Sequence, residues 1–175
     1  MIPAPSQKKS NKTDWLTTPF AAVLCLAADF LSKRWAETNL SGSAVQPFIP
    51  NLLNFNLTSN TGAAFSIGKD SSMVMTALAS VVTVVLLLWY ISREKEEIKP
   101  DTLERTGIGF IFGGALGNLL DRFMKGSVTD FLDFAFMTFP VFNVADAMID
   151  VGIGLILISM IRAWRKDKPP VEPEQ

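Results

Sequence analysis

Met73-Val-Met-Thr-Ala-Leu-Ala-Ser-Val-Val-Thr-Val-Val-Leu-Leu-Leu-Trp-Tyr-Ile91 runs for 19 residues without a charge. A helix needs about 20 apolar residues to cross the hydrocarbon core of a bilayer. This one stretch therefore places the chain in a membrane, with Trp89 and Tyr90 where an interfacial aromatic belt forms.

Toward the N-terminus lies a loop of 33 residues, Asn39 to Ser71. In it Leu53, Phe55 and Leu57 alternate with Asn54, Asn56 and Thr58, the period of a half-buried strand. Ser59-Asn60-Thr61-Gly62 supplies a turn, and Ala63 to Ile67 is expected to return as a second strand. Before the loop, a span over about 18–38 is interrupted by Asp29, Lys33 and Arg34. Asp29 and Lys33 are four apart, share a helix face and can pair. Lys8, Lys9 and Lys12 ahead of an apolar run imitate a signal peptide. However, Pro19–Leu31 carries no small-x-small cleavage site, and Leu24 before Cys25 spoils a lipoprotein-type one, so an uncleaved first span is expected.

Toward the C-terminus, Ser92–Arg105 is heavily charged and reads as a water-exposed turn. The third span, about 106–124, is the weakest by hydropathy. Gly109, Gly113 and Gly117 recur every four residues and line one face that admits close helix approach. Asn118, Asp121 and Arg122 then form one polar patch at i, i+3 and i+4. In the fourth span, about 141–163, Asn143, Asp146 and Asp150 share a face. The expected fold is an all-α integral membrane protein. It has four transmembrane helices (18–38, 72–91, 106–124, 141–163) and a small extracytoplasmic β-sheet between spans 1 and 2. Residues 18–163 make one domain, flanked by disordered tails over 1–17 and 164–175. Lys and Arg gather in the N-tail, the 92–105 segment and the C-tail, so both termini are expected in the cytoplasm.

Composition narrows the chemistry. Net charge is −1, which gives no reason to expect nucleic acid as a partner. A single cysteine rules out an internal disulfide, and the absence of histidine removes Ser-His-Asp and Cys-His catalysis and most zinc sites. What remains conspicuous is Gly113–Asp150, which carries eight Asn, Asp and Arg side chains between two apolar spans: Asn118, Asp121, Arg122, Asp130, Asp133, Asn143, Asp146 and Asp150. Such groups are costly beside lipid unless they act there. Asp130 follows the third span and Asp146 opens the fourth, so in antiparallel neighbours both carboxylates can meet at the outer face. Two carboxylates sharing a site cannot both ionise, which leaves one acid and one base side by side. That pair can activate water with no cofactor and no metal. A Ser32–Lys33 dyad fails because the two point to different helix faces. Asp133 reads as a solvated acid and Asp121 as a partner for Arg122. A small transporter with buried acids, or an assembly protein held by the glycine face, stays open on the residues alone.

Four segments resemble the motif set of the lipoprotein signal peptidases, the type II signal peptidases of bacteria. They are Asp29-Phe-Leu-Ser-Lys33, Asn60-Thr-Gly-Ala-Ala-Phe-Ser66, Gly113-Gly-Ala-Leu-Gly-Asn-Leu-Leu-Asp-Arg122, and Val128-Thr-Asp-Phe131 with Phe142-Asn-Val-Ala-Asp146. The resemblance covers about residues 18–163. It implies an intramembrane aspartyl protease of the bacterial inner membrane, with a small surface sheet and its site at the extracytoplasmic face. The implied substrates are diacylglyceryl-modified prolipoproteins, met by a monomer in contact with membrane lipid and cut just before the lipidated cysteine. By the same resemblance Asp130 and Asp146 are the catalytic pair. Asp29, Lys33, Asn60, Gly114, Asn118, Arg122 and Asn143 bind substrate or support the site. Two positions depart from the family pattern: Ala147 stands where a serine is frequent, and Asp150, one turn deeper, is an unexpected acid.

Overall fold

The computed structural model describes residues 14–62, 71–95 and 99–166. Four long helices dominate it: α1 (Thr17–Asn39), α2 (Ser71–Arg93), α3 (Thr102–Lys125) and α4 (Val144–Lys166). Among the described residues, three stretches are long and apolar enough to cross a membrane: Asp14–Asn39, Met73–Arg93 and Val144–Arg165. The protein is thus a multi-pass membrane protein. Helix α3 is not among those stretches, and its surroundings explain its polarity. It lies between α1 and α4, where protein rather than lipid covers much of its surface.

Glycines set that packing. A Cβ on Gly109 would lie 2.5 Å from the Thr18 carbonyl oxygen, and one on Gly113 would lie 2.5 Å from that of Ala22. A Cβ on Gly117 would strike the Asp29 carboxylate. The every-fourth-residue glycine face is the face that meets α1. A second face meets α4: a Cβ on Gly107 would lie 2.5 Å from the Gly152 carbonyl oxygen, one on Gly152 would lie 2.6 Å from that of Gly107, and Gly114 lies under the Ala145 carbonyl. Helix α3 starts where the Asp101 side chain accepts from the Glu104 N–H at 2.8 Å. It ends at Gly126, whose φ of 74° is the left-handed conformation that glycine adopts freely.

Helix α2 is held to α3 at one end by crossed ion pairs. Arg93 Nε meets Glu104 Oε1 at 2.9 Å, and Arg105 makes a two-pronged contact to Glu94. Arg105 is buried and also donates to the Pro100 carbonyl. Ser92, Lys95, Lys99, Asp101 and Thr102 are exposed, as expected of a turn in water, while Arg93, Glu94, Glu104 and Arg105 staple the two helices together.

The sheet also departs from expectation. Its strands β1 (Gln46–Ile49), β2 (Leu53–Asn60) and β3 (Val128–Phe134) pair antiparallel in that order. Strand β2 is the alternating stretch expected to be a strand. However, β3 comes from the segment between α3 and α4, so the sheet does not lie solely between spans 1 and 2. A β-branched and aromatic segment pairs readily with the open edge of β2, while its two aspartates disguise it in sequence. The expected return strand at 63–67 lies outside the described residues. Ala36, Leu40 and Phe131 form the core that docks the sheet on the end of α1, with Phe55, Leu57, Leu132 and Val144 packed around them.

Candidate active site

The site grows from the first turn of α4. Asn143 precedes the helix and accepts from the Asp146 N–H through Oδ1 at 3.0 Å. Asp146 Oδ2 accepts in return from the Asn143 N–H at 3.2 Å. This reciprocal capping box satisfies two helix-end donors. A third, the Ala145 N–H, donates to Asp29 Oδ1 on α1 at 3.0 Å. Three helix-end donors and the positive end of the α4 dipole thus face carboxylates or an amide oxygen.

Two asparagines connect this end to the rest. Asn143 is fully buried, and its Nδ2 donates to Asp130 Oδ1 at 2.6 Å and to Asn118 Oδ1 at 3.0 Å. Asn118 Nδ2 donates to Asp146 Oδ1 at 2.7 Å. The other oxygen of Asp130 accepts from Asn60 Nδ2 at 2.9 Å. Lys33 Nζ lies 2.8 Å from Asp29 Oδ2, 2.9 Å from Asn118 Oδ1 and 3.2 Å from Asp121 Oδ2. Those three partners use all the donors of an ammonium group. Because Lys33 and Asn143 both donate to Asn118 Oδ1, the Asn118 amide has one consistent orientation, with its NH2 toward Asp146.

Asp130 is 1% exposed. Burial pushes its carboxyl pKa above the ordinary value of 3.8, opposed by the Asn60 and Asn143 hydrogen bonds. The nearby Asp146 charge pushes it further up, and Lys33 acts the other way.

The structure thus gathers Asp29, Lys33, Asn60, Asn118, Asp130, Asn143 and Asp146 into one hydrogen-bonded cluster. Arg122 joins at its margin through Nη1 to the Asn118 carbonyl at 3.3 Å. Gly114 contributes space, letting α3 approach the first turn of α4. Asp133 and Asp150 fall outside. Asp133 accepts from Asn56 across the sheet, and Asp150 is exposed on α4. The ion partners of Asp121 are Lys33 and Lys125, not Arg122 as expected. Glu37, Lys125 and Thr129, which border the cluster, went unread in the sequence. Only the i, i+4 spacing of Asp121 and Lys125 announces any part of them.

Several apolar helices thus carry a buried cluster of acids and asparagines at one end of the bundle, a polar site built into a membrane protein. Residues 21–162 match the family described as signal peptidase (SPase) II. A lipoprotein signal peptidase of Thermosynechococcus vestitus is 39% identical over 90% of this chain and 94% of its own. One from Gloeobacter violaceus is 35% identical over 94% and 91%. A solved bacterial membrane enzyme superposes with a TM-score of 0.73 at 28% identity, covering 83% of this chain and 93% of that one. The chain belongs to the signal peptidase II family, and it is a membrane peptidase, a hydrolase.

Proposed function

We propose that this peptidase removes the signal peptide from diacylglyceryl-modified prolipoproteins by aspartic chemistry, cutting just before the lipidated cysteine. The carrying observation is Asn143. It donates its side chain to Asp130 and its backbone N–H to Asp146, tying two carboxylates into one site. The chain has no histidine to offer as an alternative base. The names of the relatives point to the same substrate class.

Burial equips Asp130 to hold a proton, and Asp146 is the base. Asp146 takes a proton from water as the water oxygen attacks the scissile carbonyl carbon, while Asp130 protonates the carbonyl oxygen. Collapse of the tetrahedral adduct breaks the C–N bond. The Asp146 proton passes to the departing amine, and the adduct hydroxyl returns its proton to Asp130. Asn60, Asn118 and Asn143 hold the carboxylates, Asp29 and Lys33 brace the start of α4, and Arg122 and Gly114 border the site.

In this reading α3 is the fourth span, shielded from lipid by α1 and α4. Both termini are cytoplasmic and the site opens at the extracytoplasmic face of the inner membrane. The exposed side chains of Phe48, Ile49, Leu52, Phe136, Met137 and Phe139 support a sheet resting on that surface, because they continue the apolar exterior of the helices. The test is turnover of a diacylglyceryl-modified prolipoprotein peptide in detergent. Asp130→Asn and Asp146→Asn should each lower it about a thousandfold or more while the protein stays in the membrane. Wild-type turnover in either variant would sink the mechanism.

A further inference from the structure

Outside the asparagine-linked cluster, a second set of polar groups joins three elements at the foot of β3. The Thr129 hydroxyl donates to Glu37 Oε1 at 2.7 Å and accepts from Lys125 Nζ at 3.1 Å. The Thr129 N–H donates to Asp121 Oδ2 at 3.1 Å. Lys125 pairs with Asp121 Oδ1 at 2.8 Å and with Glu37. Glu37 lies in the last turns of α1, Asp121 and Lys125 in those of α3, and Thr129 near the start of β3.

We propose that Glu37, Lys125 and Thr129 form a clasp that sets the position of Asp130. It rests on the reading of Asp130 as catalytic, and the clasp groups are positioning residues that act through Asp130. Strand pairing alone leaves Asp130 loosely specified. The β2–β3 register shifts between Phe55 and Thr58, and Thr58 is the residue opposite Asp130. Just before β3 the chain turns through the left-handed Gly126, another point of freedom. Successive strand residues point to opposite faces. Fixing the Thr129 side chain in the clasp therefore aims Asp130 at Asn60 and Asn143 from the other face.

The clasp is suited to orientation more than to stability. The Lys125 and Glu37 side chains are 32% and 29% exposed, and ion pairs so placed add little to folding. Geometry is where they count, since a misplacement of about 1 Å can cost about a hundredfold in rate.

The test is kcat and KM for a diacylglyceryl-modified prolipoprotein peptide on the purified full chain. Thr129→Val keeps the side-chain shape and removes the hydroxyl. It should lower kcat about tenfold with KM unchanged, and Thr129→Ser should restore kcat to within about twofold of wild type. Glu37→Ala, which removes the acceptor, should lower kcat similarly, and the Thr129→Val/Glu37→Ala pair should fall little further, because both act through one contact. Wild-type kcat in Thr129→Val and Glu37→Ala overturns the clasp, as does a loss in Thr129→Val that Thr129→Ser does not repair. Asp130→Asn separates the two ideas. Turnover surviving in Asp130→Asn removes the parent reading and the clasp with it. An inactive Asp130→Asn beside a fully active Thr129→Val removes the clasp alone.

Discussion

Helices α2 and α3 are near opposites. Helix α2 is the most apolar of the membrane-length helices, and nothing in its apolar stretch is buried. Its helix contacts run to α3, among them Tyr90 edge-on to Phe112 and the crossed ion pairs at its end. Helix α3 is too polar to qualify by length and composition, yet it sits between α1 and α4 and carries Asn118, Asp121 and Arg122. Hydropathy measures what a helix shows to lipid. A helix surrounded by other helices is free to be polar, and its small residues mark it instead.

The largest expected effect tests that contrast directly. Gly113→Val would drive side-chain atoms into the Ala22 carbonyl and Cys25 Cβ, already 2.5 and 2.6 Å from a bare Cβ. The fold must open along α1, at a cost of about 3 kcal/mol or more, with turnover lost. Leu88→Ala on α2, where Leu88 is 62% exposed, should change stability by no more than about 0.5 kcal/mol. Thermal unfolding in detergent checks both, and similar responses would break the comparison.

An intermediate effect belongs to the seam where the two helices meet. Arg105 is 2% exposed and holds Glu94 through both terminal guanidinium nitrogens. Arg105→Ala leaves Glu94 and the Pro100 carbonyl without that donor, and should cost about 2–3 kcal/mol. The charge-exchanged pair Glu94→Arg/Arg105→Glu should recover part of the loss. If the exchanged pair is no better than Arg105→Ala, the pairing contributes no attraction of its own.

These contrasts explain what was legible. Met73–Ile91 announced itself because lipid contact demands an unbroken apolar run. Gly109, Gly113 and Gly117 announced the α1-facing side of α3 because close backbone approach demands a regular period. Asn143 and Asp146 carry capping-box spacing, so their link was within local reach. Strand β3 was hidden because Asp130 and Asp133 interrupt the pattern a strand shows, and its partner β2 lies about 70 positions away, as the Asn60–Asp130 bond measures. The Thr129–Glu37 contact spans 92 positions and was equally unreadable. No local propensity encodes a hydrogen bond created by docking a strand against two helix ends.

The smallest expected effect is a pH slope, and it should come from the polar end of the bundle alone. The Asp130 carboxyl is raised above its ordinary 3.8, first by burial and then by the Asp146 charge. The folded state therefore holds that proton more tightly than the unfolded chain does. A group raised in this way lends its full stability below 3.8 and loses it as pH climbs through the folded value. The Asp130 contribution to thermal stability in detergent, read as the difference between wild type and Asp130→Asn, should accordingly decline as pH rises from about 4 toward neutrality. The absolute stability of Asp130→Asn is less telling, because an asparagine there turns its own NH2 toward Asn60 or Asn143, both donors. Helix α2 has no ionisable group between Met73 and Trp89, so Val81→Ala should leave the slope unchanged. A difference that stays flat over that range would mean that another carboxyl carries any slope, and Asp130 would then be no candidate for the proton-holding acid.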